Sequence, residues 1–242
     1  MDKRLFIAKN VATLFNDGDV VNLGVGIPTL SSTFVPKDIT VLIHAEDGAV
    51  GCDRSNGYIF DLESREGAIA SRTPWGGEDG NYRTQHRDLV DASGDSITLI
   101  PGAFCCDTTM AFAIARGGHL DATVLGALQV DQECNLANWK IPGKKLNGMG
   151  GAMDIVSGAK RVIIAMEHCN KNGESKIVEK CTLPLTALNC VTSIVTELCI
   201  IDCKPGELKV VALAPGVSKE DVIKNTAAEL VFADELEEMV SD

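Results

Sequence analysis

At 242 residues, with 45% hydrophobic residues, 23 glycines and 5% aromatics, the chain has room for one large α/β domain or two small ones, and its composition suits such a fold better than an all-β sandwich. A formal net charge of −12 argues against nucleic-acid binding, which wants a basic face, and against adsorption to anionic membranes. The nine cysteines are odd in number and show no repeated C-x-x-C spacing, which fits reduced thiols and a cytoplasmic location, and no run of 18 apolar residues is present to span a membrane.

The first predicted element is an amphipathic helix from about Lys3 to Phe15, with Leu5, Ala8, Val11, Ala12 and Phe15 on one face. Lys9 and Asn10 interrupt any apolar run there, so it does not read as a signal peptide. Asn16-Asp17-Gly18 ends it. A strand follows at 19–23, then the loop GVGIP at 24–28, a short helix at 29–35 stopped by Pro36, and a second strand, ITVLI, at 39–43. Residues 52–95 lose this regularity. They hold both tyrosines, Trp75 and five of the eight arginines (Arg54, Arg65, Arg72, Arg83 and Arg87), and they read as an extended arm or β-hairpin outside the core. Order returns with a strand at 96–100 and a helix near 107–115, where Gly117-Gly118-His119 looks like a helix C-terminus. Strand-like runs follow at 122–130 and 161–166. SIVTELCIIDC at 193–203 reads as helix then strand, and LKVVALA at 208–214 as a further strand. Ser218 and Asp221 form a variant capping box that opens the last helix. Strands and helices alternate from end to end without a linker or internal repeat. The expectation is one domain, 1–242, built on an open, mostly parallel twisted sheet with flanking helices.

Ligands of open α/β sheets bind beyond the carboxyl ends of strands. Three loops qualify: GVGIP at 24–28, HAEDG at 44–48 and NGMGGAMD at 147–154. The first is not a dinucleotide fingerprint, because Thr29 stands where a third glycine belongs, and no phosphate-binding P-loop occurs. It is either a tight turn or a patch of bare backbone N–H groups facing an anion. The third loop, beside Lys144-Lys145, is either a plain turn or a cradle for a phosphorylated ligand. Cys105-Cys106 have no base near in sequence, and His44, His86, His119 and His168 show no metal-ligand spacing. Glu46 is the pointed case. Carboxylates are rarely placed at the end of an apolar strand without cause, and one there either caps a turn or acts as a base or nucleophile toward an activated acyl group.

These stretches together resemble the β subunit of class I CoA-transferases, the 3-oxoacid and acetate/butyrate/acetoacetate type. VVNLGVGIPTL, LIHAEDGAVG, PGAFCCDTTMAFAIARGGHLDATVLGALQV, NLANWKIPGKKLNGMGGAMDIVSGAKRVIIAMEH, ESKIVEKCTLPLT and LAPGVSKEDV occur in the family's order and cover nearly the whole chain. The resemblance implies the CoA-transferase (ribose-5-phosphate-isomerase-like) form of the α/β sheet. It implies Glu46 as the nucleophile of a ping-pong transfer through a glutamyl-CoA thioester. It implies Gly150 and Gly151 as oxyanion donors, Gly24 and Gly26 as shapers of the cleft, and Lys144 as a contact for CoA phosphate. Coenzyme A is then a substrate carried in thioesters, with no resident cofactor and no metal. The family's other half carries a GGFxxxGxP signature that is absent here, so the resemblance implies an α-subunit partner in a heterotetramer or larger assembly. Three departures stand in the signature: Ala45 for Ser, Asp47 for Asn, and Ala49 for a larger apolar residue. Asp47 places a like charge beside Glu46 and is expected to turn outward. The segment at about 53–90 is longer than the family's usual stretch. Two other readings stay open at this level: a non-catalytic ligand-sensing or scaffolding relative, and an acyl-CoA hydrolase on the same fold.

Overall fold

A computed structural model describes residues 2–53, 69–71, 83–85, 90–91, 94, 97–143 and 148–241. The chain begins with α1 (Lys3–Ala12), β1 (Val20–Leu23), α2 (Ile27–Leu30) running into a 3₁₀ turn (Ser31–Phe34), β2 (Leu42–Ala45) and β3 (Ala49–Asp53). The short pair β4 (Ile69–Ser71) and β5 (Arg83–Gln85) precedes β6 (Thr98–Cys105), α3 (Thr108–Arg116), β7 (Ala122–Leu125), β8 (Gln129–Asp131) and β9 (Leu136–Ala137). Then come α4 (Ala152–Gly158), β10 (Val162–Ala165), β11 (Ile177–Val178), β12 (Ser193–Val195), β13 (Cys199–Lys204), β14 (Glu207–Leu213), α5 (Lys219–Asn225) and β15 (Val231–Glu238).

Ten strands form one sheet in the order β15-β14-β13-β12-β10-β7-β1-β2-β3-β6. Its middle, β12-β10-β7-β1-β2, is wholly parallel. Antiparallel neighbours, β13 on one side and β3 with β6 on the other, extend it into both wings. The buried middle strands are short and largely apolar on both faces, as a sheet covered by helices requires. In β10 the alternation is plain. Ile163 and Ala165 join the core under α1, while Val162 and Ile164 join the core on the other face with α5 and the small sheet β11-β8-β9. Each such isoleucine contributes about 1.5–3 kcal/mol by leaving water. α3 and α4 cover the same face as α5, with Ala115 and Ile155 packed beside Val20.

Most predicted elements stand where the sequence placed them, with three corrections. The stretch 193–203 is a β-hairpin, β12 turning back into antiparallel β13, and not a helix leading into a strand. Thr196 makes the turn: its Oγ accepts from Leu198 N–H at 3.1 Å and Cys199 N–H at 3.2 Å, so Glu197-Leu198 has no helix to continue. The strand expected at 39–43 lies at Leu42–Ala45, so His44 and Ala45 are inside the sheet and Glu46 is the first residue past it. The run 122–130 breaks after Leu125, and only its last residues enter the small sheet. β15 was not expected from the sequence at all. It pairs parallel with β14, and the chain beyond it is tied to α1: Asn10 donates to Val240 O at 3.0 Å and accepts from Val240 N–H at 2.8 Å. The capping box of α5 is present, with Ser218 and Asp221 bonded reciprocally. Most of the irregular segment at 52–95, with Arg54, Arg65, Arg72 and Arg87, lies outside the described residues; within it β4 and β5 pair antiparallel.

Candidate active site

Three polar side chains lie in one row across the middle of the sheet. The parallel register sets Asn22 of β1 against His44 of β2 on one side and against Thr123 of β7 on the other. All three are buried, with relative exposures of 1%, 1% and 0%. A buried polar group left without a partner costs about 1–3 kcal/mol, so such a row is stable only when its bonds close on one another. They do. Thr123 Oγ1 donates to Asn22 Oδ1 at 3.1 Å, and His44 Nε2 faces the Ala111 carbonyl of α3 at 3.0 Å. A carbonyl only accepts, so Nε2 carries the ring proton and Nδ1 is bare. Burial holds His44 below its ordinary pKa, against opposing pulls from the Ala111 carbonyl and the charges of Glu46 and Asp47. The ring is therefore neutral at pH 7.

The row ends on Glu46. Asn22 Nδ2 donates to Glu46 Oε2 at 2.9 Å, and the same nitrogen lies 3.3 Å from His44 O and 3.4 Å from His44 Nδ1. Among the described residues the other carboxylate oxygen, Oε1, takes no hydrogen bond. Glu46 sits on a tight turn between antiparallel β2 and β3, closed by Gly48 N–H to Ala45 O at 3.1 Å. Two contacts staple this turn to the start of α3: Thr108 Oγ1 donates to Glu46 O at 2.9 Å, and Cys106 N–H donates to Gly48 O at 2.8 Å. The approach is close enough to demand glycine. Gly48 has φ +128°, and a Cβ there would fall 2.1 Å from Cys106 O. Glu46 is half-buried and Asp47 is exposed. Desolvation at its carboxyl raises the Asp47 pKa above the usual range, and the charges of Asp91 and Glu46 add to it.

A half-buried carboxylate with one oxygen pinned, the other free of hydrogen bonds among the described residues, and its backbone fixed at two points is arranged to present an oxygen to a reagent. The chain has known relatives. A family model described as coenzyme A transferase matches residues 83–225. The acetate CoA-transferase subunit beta of Escherichia coli (strain K12) is 42% identical over 236 residues, covering 98% of this chain and 97% of the relative. This chain belongs to the coenzyme A transferase family. It is an enzyme that transfers coenzyme A. The mitochondrial succinyl-CoA:3-ketoacid coenzyme A transferase 2 of Homo sapiens is 38% identical over 240 residues, covering 98% of this chain but 42% of that longer protein. The apo structure of an acyl-CoA transferase from Escherichia coli O157:H7 shares the fold, with a TM-score of 0.70 and 20% identity over 99% of this chain and 43% of that one.

The other residues singled out in this transferase fall at different distances from the row. Gly24 closes β1, and its N–H donates to Val124 O at 2.8 Å; a Cβ would meet Leu125 Cδ2 at 3.1 Å. Its glycine character answers to the close approach of β7. Gly26 has φ +102° and precedes α2. Gly150 has φ +57° with open space around it, while Gly151 backs onto Phe112 of α3, whose ring a Cβ would meet at 2.6 Å. The glycine loop thus lies against the same helix that staples the Glu46 turn. Asp154, in the first turn of α4, pairs with Arg116 of α3 at 2.8 Å, which lowers its pKa. Lys144 lies outside the described residues. The row itself was missed by sequence reasoning. The available signal was a single polar residue inside each of three apolar strands, VVNL, VLIHA and ATVL.

Proposed function

We propose that this chain is the catalytic β subunit of a heteromeric acyl-CoA:carboxylate CoA-transferase, with Glu46 as the nucleophile. One observation carries the reading: Glu46 Oε2 is held at 2.9 Å by a buried amide while Oε1 takes no hydrogen bond among the described residues, on a turn stapled at two points. Glu46 Oε1 attacks the thioester carbonyl of a short-chain acyl- or 3-oxoacyl-CoA, and the CoA thiolate leaves. The thiolate then attacks the glutamyl carbon, releasing the first acid and leaving a glutamyl-CoA thioester. An acceptor carboxylate reverses these steps, so coenzyme A passes through as substrate. Splitting one hard acyl transfer into easier ones is the general use of a covalent intermediate. Gly150 and Gly151 are the proposed donors to the oxyanion on the substrate's acyl carbon.

The partner is an α subunit. Two observations support this. The matched segment is less than half of the longer human relative. Apolar side chains also stand exposed on elements around Glu46: Val25 after β1 (73% exposed), Phe104 of β6 and Met110 of α3. Apolar surface clustered at a catalytic edge marks a covered face. Among the described residues no helix is long and apolar enough to cross a membrane.

The test uses the complex reconstituted with its α subunit. Acyl-CoA added without acceptor, followed by borohydride, should reduce a Glu46 thioester, visible in the peptide mass. Glu46→Gln should show neither the adduct nor turnover. Full turnover in Glu46→Gln sinks the nucleophile reading, and free CoA released steadily without acceptor would mark a hydrolase instead.

A further inference from the structure

With Glu46 as the nucleophile, its two oxygens have different fates. Oε1 becomes the bridging oxygen of the anhydride and departs with the first acid. Oε2 never leaves. It is the carbonyl oxygen of the anhydride and of the thioester. When the CoA thiolate attacks Cδ, the C=O π pair moves onto Oε2 and a tetrahedral intermediate forms with the negative charge there. Its collapse breaks the Cδ–Oε1 bond, expels the acid as carboxylate and restores the C=O bond. The acceptor carboxylate later attacks the same Cδ, puts charge on the same Oε2 and expels the CoA thiolate. Two of the four additions in a full cycle therefore develop their charge on Oε2.

We propose that the Asn22 side-chain amide is the oxyanion donor for these two additions, and that Thr123 is the positioning residue that aims it. This rests on the nucleophile reading above and goes beyond it. The donor is already in place: Asn22 Nδ2 to Oε2 is 2.9 Å, within the range expected of an oxyanion donor. Its aim is fixed by chemistry. Thr123 Oγ1 supplies a proton to Asn22 Oδ1 at 3.1 Å. If the amide were reversed, Oδ1 would face Glu46 Oε2, His44 O and the bare His44 Nδ1, an arrangement of acceptors with no proton between them. The amide is also rigid. Asn22, His44 and Thr123 share one register across three strands and are buried, so the donor needs no reorganisation as charge develops. The oxyanion on the substrate's acyl carbon is a separate charge and is left to other donors.

The experiment measures glutamyl-CoA formation by rapid quench and intact mass in the reconstituted complex, alongside steady-state kcat and KM. Asn22→Ala should slow adduct formation and kcat by about 10²–10³-fold, the usual effect of losing one oxyanion donor, with KM for acyl-CoA little changed. Thr123→Val keeps the volume and removes the hydroxyl; it should slow adduct formation about tenfold, and Thr123→Ser should restore it. A merely structural role would lower folded yield in all three variants and leave the rate per folded complex unchanged, and that result overturns the assignment. So does an Asn22→Ala complex that forms the adduct at the wild-type rate. If Asn22→Ala does not assemble, the Val and Ser pair decides: equal rates in the two reject the proposal. Failure of the nucleophile reading looks different, because then the wild-type complex itself carries no adduct on Glu46.

Discussion

Two glutamates stand just beyond parallel strands at the carboxyl edge of the sheet, and their surroundings differ in kind. Glu46 follows β2, and among the described residues its one carboxylate bond comes from the neutral amide of Asn22. Glu197 lies two residues past β12, and both of its oxygens are occupied: Oε1 meets the Lys3 ammonium at 3.2 Å and Oε2 accepts the His168 N–H at 2.8 Å. Each has a buried histidine close by. His44 takes part in the row under Glu46, whereas His168 is closed off between the hydroxyls of Thr196 and Thr226, at 3.0 and 2.8 Å. Position at a strand end does not separate these carboxylates. Partner chemistry among the described residues does: a cation and a backbone donor turn one into a brace, and a single amide leaves the other available.

The largest expected effect tests that contrast directly. Glu46→Gln should bring turnover below about a thousandth of wild type, as the proposed role of covalent nucleophile requires, while Glu197→Gln leaves it near wild type. Comparable losses in both would show that the edge glutamates act together and erase the distinction. A smaller effect probes the closed side by pH. Burial lowers the His168 pKa from 6.5 to about 4. On acidification the unfolded chain therefore takes up a proton first, beginning near pH 6.5. The stability tied to the neutral ring is complete above that pH and falls as pH drops to about 4, by about 3 kcal/mol in all. His168→Gln should flatten the urea midpoint against pH across this window, and an unaltered slope would mean that other groups set it. The smallest effect concerns the brace. Lys3 is 66% exposed, so Lys3→Ala should cost less than about 1 kcal/mol and its effect should shrink in high salt. A loss of several kcal/mol would place far more of the fold's stability in this pair.

Much of the scaffold was legible because local chemistry wrote it. Ser218 caps α5 as its short-range signal should, and the apolar strands of the middle stand out in the sequence. Errors came where local preference and pairing disagree. Thr196-Glu197-Leu198 contains good helix formers, yet the hydroxyl of Thr196 turns the chain into a hairpin. β15, VFADELEE, carries acidic residues through an exposed edge strand and so lacks an apolar signature. At the site, Glu46 was legible because its setting is contiguous: an apolar strand, a carboxylate, then glycine. Asn22, His44 and Thr123 were not, because each alone is one polar residue in an apolar strand. Only parallel register, a long-range property, lines them up.

That register also has a kinetic side. Asn22 and Thr123 are 101 positions apart, and the bond between them exists only after β7 has found β1 across that loop. Such long-range pairing is slow compared with helix formation. A one-residue slip of β7 along β1 would turn Thr123 to the opposite face and leave Asn22 unaimed. On the proposed role of Asn22, turnover is a late-folding clock: helices and compactness should return first, and chemistry should begin when the strands have locked.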